Sequence, residues 1–231
     1  METNNEVTIN GSSNEPGNDP NLKRKKIIRE IISWFCVIAG GVLTALFIGR
    51  FIIVNANVPT GSMLNTIEVD SRIVAFRLSY LFSEPNQGDI IVFRYPLDTS
   101  ILYVKRIIGM PGDTVQIVDG RVYVNGIFLE EDYVYVSGNT PPRNRNFGPH
   151  TVPNDRFFVL GDYRDISEDS RSWSYGAYIL RPGDTSPSWA MRSQLPPGTP
   201  FEFNEEYAFV CRDLILGRVI FSYWPRIRAI R

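Results

Sequence analysis

Ser62 and Lys105 are the two side chains in this 231-residue sequence best suited to do chemistry together. Ser62 sits in Pro59-Thr60-Gly61-Ser62-Met63, where the glycine favours a tight turn. A serine hydroxyl is a poor nucleophile until a neighbour takes its proton. Histidine is the usual neighbour, but the single histidine, His150, lies in Phe147-Gly148-Pro149-His150 and reads as a loop residue. Lysine can serve where burial among apolar groups keeps it neutral. Lys105 lies in the strand-like run Tyr103-Val104-Lys105-Arg106-Ile107-Ile108-Gly109. Lowering its pKa from ~10.4 to about 8 would cost roughly 3 kcal/mol, which a β core can supply. Strand composition alone favours a lysine that points to solvent. A third segment, Gly161 to Arg171, reverses that judgement: it is dense in polar groups directly after a buried-looking strand.

The elements that must hold these residues follow from the pattern of the chain. Residues 1–26 open with Asn, Ser, Gly, Pro and Glu, lack an apolar face, and end in Lys23-Arg24-Lys25-Lys26; they are expected to be a disordered basic tail. Residues 27–54 contain an uncharged apolar run from Ile31 to Ile48. At ~1.5 Å per residue this run and its flanks can cross a hydrocarbon core of ~30 Å. Arg50 would cost about 2.5–3.5 kcal/mol at the membrane centre but can snorkel near the edge. The basic cluster before the span predicts a cytoplasmic N-terminus and an extracytoplasmic domain over 55–231. Val54-Asn55-Ala56 has the form of a cleavage site, yet the apolar run exceeds a signal core of ~7–15 residues, so an uncleaved anchor is the reading.

Beyond Met63 the pattern is β. Arg72 to Phe76, Asp89 to Phe93, Ile101 to Ile108 and Arg156 to Leu160 are rich in β-branched and aromatic residues. Asp119-Gly120 and Asn125-Gly126 are hairpin turns within a small cap region, 114–153. Tyr133 to His150 reads as loop, Tyr207 to Val210 and Ile215 to Tyr223 as strands, and 174–206 as an inserted Pro-rich loop. The predicted fold is mostly β: one antiparallel sheet domain behind one transmembrane helix. A net charge of −1 favours no nucleic-acid partner. Cys36 lies in the apolar run and Cys211 far beyond it, so no disulfide or cysteine metal site is expected.

Taken together, the motifs resemble those of the type I signal peptidases. Ser62-Met63-Leu64-Asn65-Thr66 is similar to that family's Ser-Met-x-Pro-Thr. Tyr103 to Asp113 matches its lysine box throughout, and Gly161 to Arg171 matches its last box except at Tyr163, where the family has asparagine. Gly88 to Phe93 is similar as well, and the likeness resumes at Leu216-Gly217-Arg218. The resemblance implies a serine endopeptidase with Ser62 as nucleophile and Lys105 as general base. It implies that Ser167 orients the lysine, that the Ser62 N–H and the Thr60 hydroxyl form an oxyanion hole, and that Asp169 and Arg171 form a structural ion pair. It further implies that Val58 and Val104 line shallow substrate pockets. The expected partners are exported preproteins with small residues at −1 and −3, and the lipid bilayer. No metal and no cofactor are implied. Competing readings are a relative dedicated to a few surface or pilus subunits, a non-catalytic assembly factor, and a self-cleaving Ser-Lys regulator. Intact Ser62 and Lys105 argue against the assembly factor; an anchor without a DNA-binding segment argues against the regulator.

Overall fold

A computed structural model of the chain describes residues 20–137, 145–173 and 205–230. Its contacts fall into two units, Met1–Phe47 and Ile48–Arg231. In the first unit, one helix runs from Pro20 to Phe47. Its apolar side chains are exposed, Ile31, Trp34, Phe35, Val37 and Ile38 all by more than half. A helix that is apolar all round suits a membrane rather than one packed face. The stretch Arg24–Ile52 is long and apolar enough to cross one. Thr44 Oγ1 donates to the Gly40 carbonyl at 2.9 Å, which satisfies the hydroxyl within the helix itself.

Two boundaries differ from the sequence expectation. The basic residues before the apolar run are helical, because Lys and Arg are good helix formers beside a strong helical segment. At the other end, regular helix stops at Phe47, a π-helical turn covers Ile48–Ile52, and Ile53 and Val54 already belong to a strand. Those two β-branched residues gain ladder partners, Phe76 and Ala75, that a longer helix would forgo.

The second unit is built on an eight-stranded sheet in the order β1-β2-β11-β3-β4-β9-β10, with β12 on β11. The strands are β1 Ile53–Val58, β2 Ser71–Phe76, β3 Ile90–Tyr95, β4 Asp98–Gly109, β9 Arg156–Leu160, β10 Val210–Cys211, β11 Ile215–Trp224 and β12 Arg228–Ala229. A second sheet of four, β7-β6-β5-β8, joins β5 Thr114–Val118, β6 Arg121–Val124, β7 Ile127–Phe128 and β8 Phe147–Thr151. Every pairing between these strands is antiparallel.

The period-two alternation explains how the large sheet is buried on both faces. Ile90 and Val92 enter one apolar cluster with Val54, Val58, Met63, Ile73 and Val104. Ile91 and Phe93 enter another with Tyr95, Ile107, Val159 and Trp173. A continuous apolar run such as Ile90-Ile91-Val92-Phe93 is what a strand covered on both faces requires. A third cluster, with Ile108, Val115, Ile117, Phe147 and Phe158, binds the small sheet to the large one. The turns behave as their sequences direct: Asp119 and Gly120 take φ 49° and 83°, Asn125 and Gly126 take 55° and 78°.

Two further readings are corrected. Phe147–Thr151 is a strand, not loop; it pairs with β5 through Thr114↔Thr151 and Ile117↔Phe147, and a register irregularity accommodates Gly148. Glu205–Ala208 is one helical turn, and only Val210 and Cys211 are extended. Almost all of the expected insertion, up to residue 204, and the first 19 residues lie outside the described residues.

Candidate active site

The segment after β1 turns at once. Leu64 N–H donates to the Gly61 carbonyl at 2.9 Å, and Ile67 N–H to the Met63 carbonyl at 2.7 Å. Met63 and Ile67 are fully enclosed and pin this turn to the core, which leaves Ser62 at its rim with 8% exposure. The chain leaving β9 crosses beneath it: Tyr163 N–H donates to the Ser62 carbonyl at 3.0 Å. A Cβ on Gly161 would collide with both the Ser62 carbonyl and Ser167 Oγ, so this crossing requires a glycine.

Strand β4 brings Lys105 to the same place. Ile91↔Lys105 fixes its register, and Lys105 is only 4% exposed. Its Nζ donates to Ser62 Oγ at 2.7 Å, across 43 residues of sequence. The amine lies 5.4 Å from the Tyr103 ring, which stacks on Tyr95 at 4.6 Å and meets Trp173 at 5.8 Å. Burial among these groups lowers the lysine pKa to about 8, against the opposing pull of Asp169, Glu168 and Asp162. Burial also raises the Tyr103 hydroxyl to about 12.

Asp169 exerts the largest part of that pull, although it is itself already paired. Arg171 Nε and Nη2 donate to its two carboxylate oxygens at 2.8 Å each, and Gly161 N–H adds a bond at 3.1 Å. Burial alone would raise this carboxyl; the Arg171 charge and these bonds hold it below the ordinary range. Ser167 departs from expectation: its Oγ is buried and has no hydrogen-bond partner, Lys105 included. The Lys105 amine is turned to Ser62 instead. Thr60 is exposed at the mouth of the site, while Val58 and Val104 are buried in one cluster.

A cleft of about 330 Å³ joins these groups, lined among others by Val58, Thr60, Ser62, Ile101, Val104 and Lys105. It runs between two strand edges. β1 pairs only with β2, and β4 meets β9 only from Arg106 to Gly109, so the edge at Ile101–Lys105 has no strand partner among the described residues.

Sequence reasoning missed the support on the far side of β4. Arg106 Nε and Nη2 donate to Asp162 at 3.0 and 2.7 Å, Nη1 donates to the Gly88 carbonyl at 2.9 Å, and the Thr66 hydroxyl donates to Asp162. Arg164 forms a second buried pair with Glu131. The available signal was charge inside strongly apolar runs, since buried charges need partners. Two departures from the family pattern are also explained locally. Asn65 takes φ 88°, which no proline can adopt, and its Nδ2 donates to the Tyr133 carbonyl at 3.1 Å. Tyr163 packs edge-on against Tyr135 at 4.7 Å.

A buried serine hydroxyl bonded to an amine whose pKa is lowered to about 8, beside a cleft, has the elements that activation of a serine nucleophile needs. The chain belongs to the signal peptidase family, peptidase S26, whose model matches residues 31–224. It is 38% identical to the signal peptidase I of Leptolyngbya laminosa over 168 residues, 69% of this chain and 80% of that one. It is 36% identical to the probable signal peptidase I-2 of Synechocystis sp. over 190 residues, 80% of this chain and 69% of that one. A crystal structure of a signal peptidase I from Enterococcus faecalis V583 matches at 26% identity and a TM-score of 0.38, over 59% of this chain and 97% of that one.

Proposed function

We propose that this protein is a membrane-anchored serine endopeptidase that removes signal peptides from exported preproteins through a Ser62–Lys105 dyad. The observation that carries the reading is the 2.7 Å contact between Lys105 Nζ and Ser62 Oγ, with both groups buried. The neutral amine takes the hydroxyl proton as Ser62 Oγ attacks the scissile carbonyl. The ammonium so formed then gives that proton to the leaving amine, and the acyl-enzyme remains. Water, deprotonated by the same amine, releases the acyl group and restores Ser62. The Ser62 N–H and the Thr60 hydroxyl donate to the oxyanion; one such donor is worth about 2.7–4 kcal/mol in the transition state. The Asp169–Arg171 pair braces the loop that carries Ser167.

The substrate binds as an added strand in the cleft between the β1 and β4 edges. Val58 and Val104 leave room there for small side chains at −1 and −3. The basic residues before the span stay in the cytoplasm, and the sheet domain works on the outer side.

The deciding assay is cleavage of a signal-sequence substrate by the detergent-solubilised full chain, with Ser62→Ala and Lys105→Ala in parallel. Each variant should lose about 10³-fold or more of kcat, with no further loss when they are combined. Turnover retained in either variant refutes the dyad.

A further inference from the structure

The two positions where the motifs leave the family's pattern, Asn65 and Tyr163, both adjoin Ser62, and both lean on one short segment. Asn65 lies in the Ser62 turn, and its Nδ2 donates to the Tyr133 carbonyl at 3.1 Å. Tyr163 donates its N–H to the Ser62 carbonyl, and its ring packs edge-on against Tyr135 at 4.7 Å. Tyr133 and Tyr135 are two residues apart.

That segment, residues 131–137, is itself fastened to the chain that follows β9. Tyr135 N–H donates to the Asp162 carbonyl at 2.8 Å, Arg164 N–H to the Tyr135 carbonyl at 3.3 Å, and Ser137 N–H to the Asp165 carboxylate at 3.0 Å. Glu131 accepts from Arg164 Nη1 at 3.0 Å and from the Tyr133 hydroxyl at 2.7 Å. The Tyr133 ring covers the Arg106 guanidinium at 3.8 Å. Residues 162–164 are thus bonded to both Tyr135 and Ser62. Proline would stiffen a turn by fixing its own torsion, but at φ 88° Asn65 has a backbone that proline cannot adopt. The exposed Asn65 is held by its amide instead. Such holding matters because a displacement of ~1 Å can cost a reaction about 100-fold.

We propose that residues 131–137 form a strap that positions the Ser62 hydroxyl, and that Asn65 and Tyr163 act through it as one unit. Tyr135 is then a positioning residue; it does not line the cleft. The inference rests on the Ser62–Lys105 reading given under the proposed function.

The test uses the full-length protein and one signal-sequence peptide. The values of kcat, KM and the denaturation midpoint are measured for Asn65→Gly, Tyr135→Ala, the two combined, and Tyr135→Phe. Glycine keeps the left-handed backbone accessible and removes only the tether. Asn65 and Tyr135 are both exposed, so neither change opens a cavity in the core. Each change should lower kcat about tenfold with KM little altered. Combined, they should still lose about tenfold, against the roughly 100-fold of independent sites. Tyr135→Phe, which keeps the ring, should restore most of what Tyr135→Ala loses. Unchanged kcat with only a lower denaturation midpoint makes the strap a support of the fold and overturns the proposal. A combined loss near 100-fold overturns it too, because the two contacts are then independent. If Tyr135→Ala does not fold, Asn65→Gly decides alone: a tenfold loss supports the strap and an unaltered kcat overturns it. A wild type that leaves the peptide uncut, or turnover retained in Ser62→Ala, brings down the proposed function and this inference with it.

Discussion

Lys105 and Arg106 are neighbours on β4, both buried, and they face opposite sides of the sheet. On one side, Arg106 meets both oxygens of Asp162, a backbone carbonyl, and the face of Tyr133 at 3.8 Å from the ring centroid. On the other, Lys105 is given the Ser62 hydroxyl, and its largest carboxylate influence, Asp169, is already committed to Arg171. One cation is made permanent and the other is made easy to discharge. Arginine suits the first task because its planar fork matches a carboxylate and it does not lose its proton in proteins. Lysine suits the second because burial moves its pKa readily. Exchanging the two positions would place a permanent charge where a base is needed.

The contrast can be broken most severely from the arginine side. Arg106→Met leaves Asp162 buried without its cation and should cost about 3–5 kcal/mol, read as a lower denaturation midpoint. Lys105→Met should act in the opposite sense. Holding the amine at about 8 rather than 10.5 costs the folded state up to about 3 kcal/mol at neutral pH. Removing it should therefore stabilise the fold by up to about 3 kcal/mol while abolishing turnover. The pH dependence gives the sign independently. Between about 8 and 10.5 the unfolded chain binds a proton at this lysine that the folded chain does not. Wild-type stability should thus rise with pH across that window, and Lys105→Met should lack the rise.

Activity sharpens the same comparison. Below about 8 the neutral fraction of Lys105 falls, so kcat/KM should drop about tenfold per pH unit and level off above about 8. Asn65→Pro probes the arginine side with the smallest expected effect. At φ 88° proline cannot fit, so the substitution should cost more than about 1 kcal/mol, while Asn65→Gly should be tolerated. Because Asn65 adjoins Thr66, which serves Asp162, Asn65→Pro should change stability and leave the pH midpoint near 8.

Much of the lysine side was legible in the sequence. The strand-like composition around Lys105, the apolar run at Ile90–Phe93 and the Asp-Gly and Asn-Gly turns are local patterns, and local patterns fix local geometry, but composition alone turned Lys105 to solvent and only the family resemblance turned it inward. What escaped is what forms only by distant pairing. Phe147–Thr151 contains glycine and proline and becomes a strand because β5 offers it an edge. The Arg106–Asp162 pair joins residues 56 apart, and nothing in either neighbourhood names the other. The Ser167 hydroxyl was expected to reach the lysine; which way a buried amine turns depends on competing acceptors that sequence does not rank. Strand preference at Tyr207-Ala208 yielded to a helical turn, as short weak segments yield to their packing.

Among the described residues, no strand covers the edge of β4 at Ile101–Lys105. A guest laid along it is gripped through amides and carbonyls, and every polypeptide carries those in the same rhythm. Such a grip asks for an extended backbone and ignores most of what the guest spells out. Tolerance of many unrelated sequences is then the default condition of this fold, and each refusal has to be added by a particular side chain at the rim.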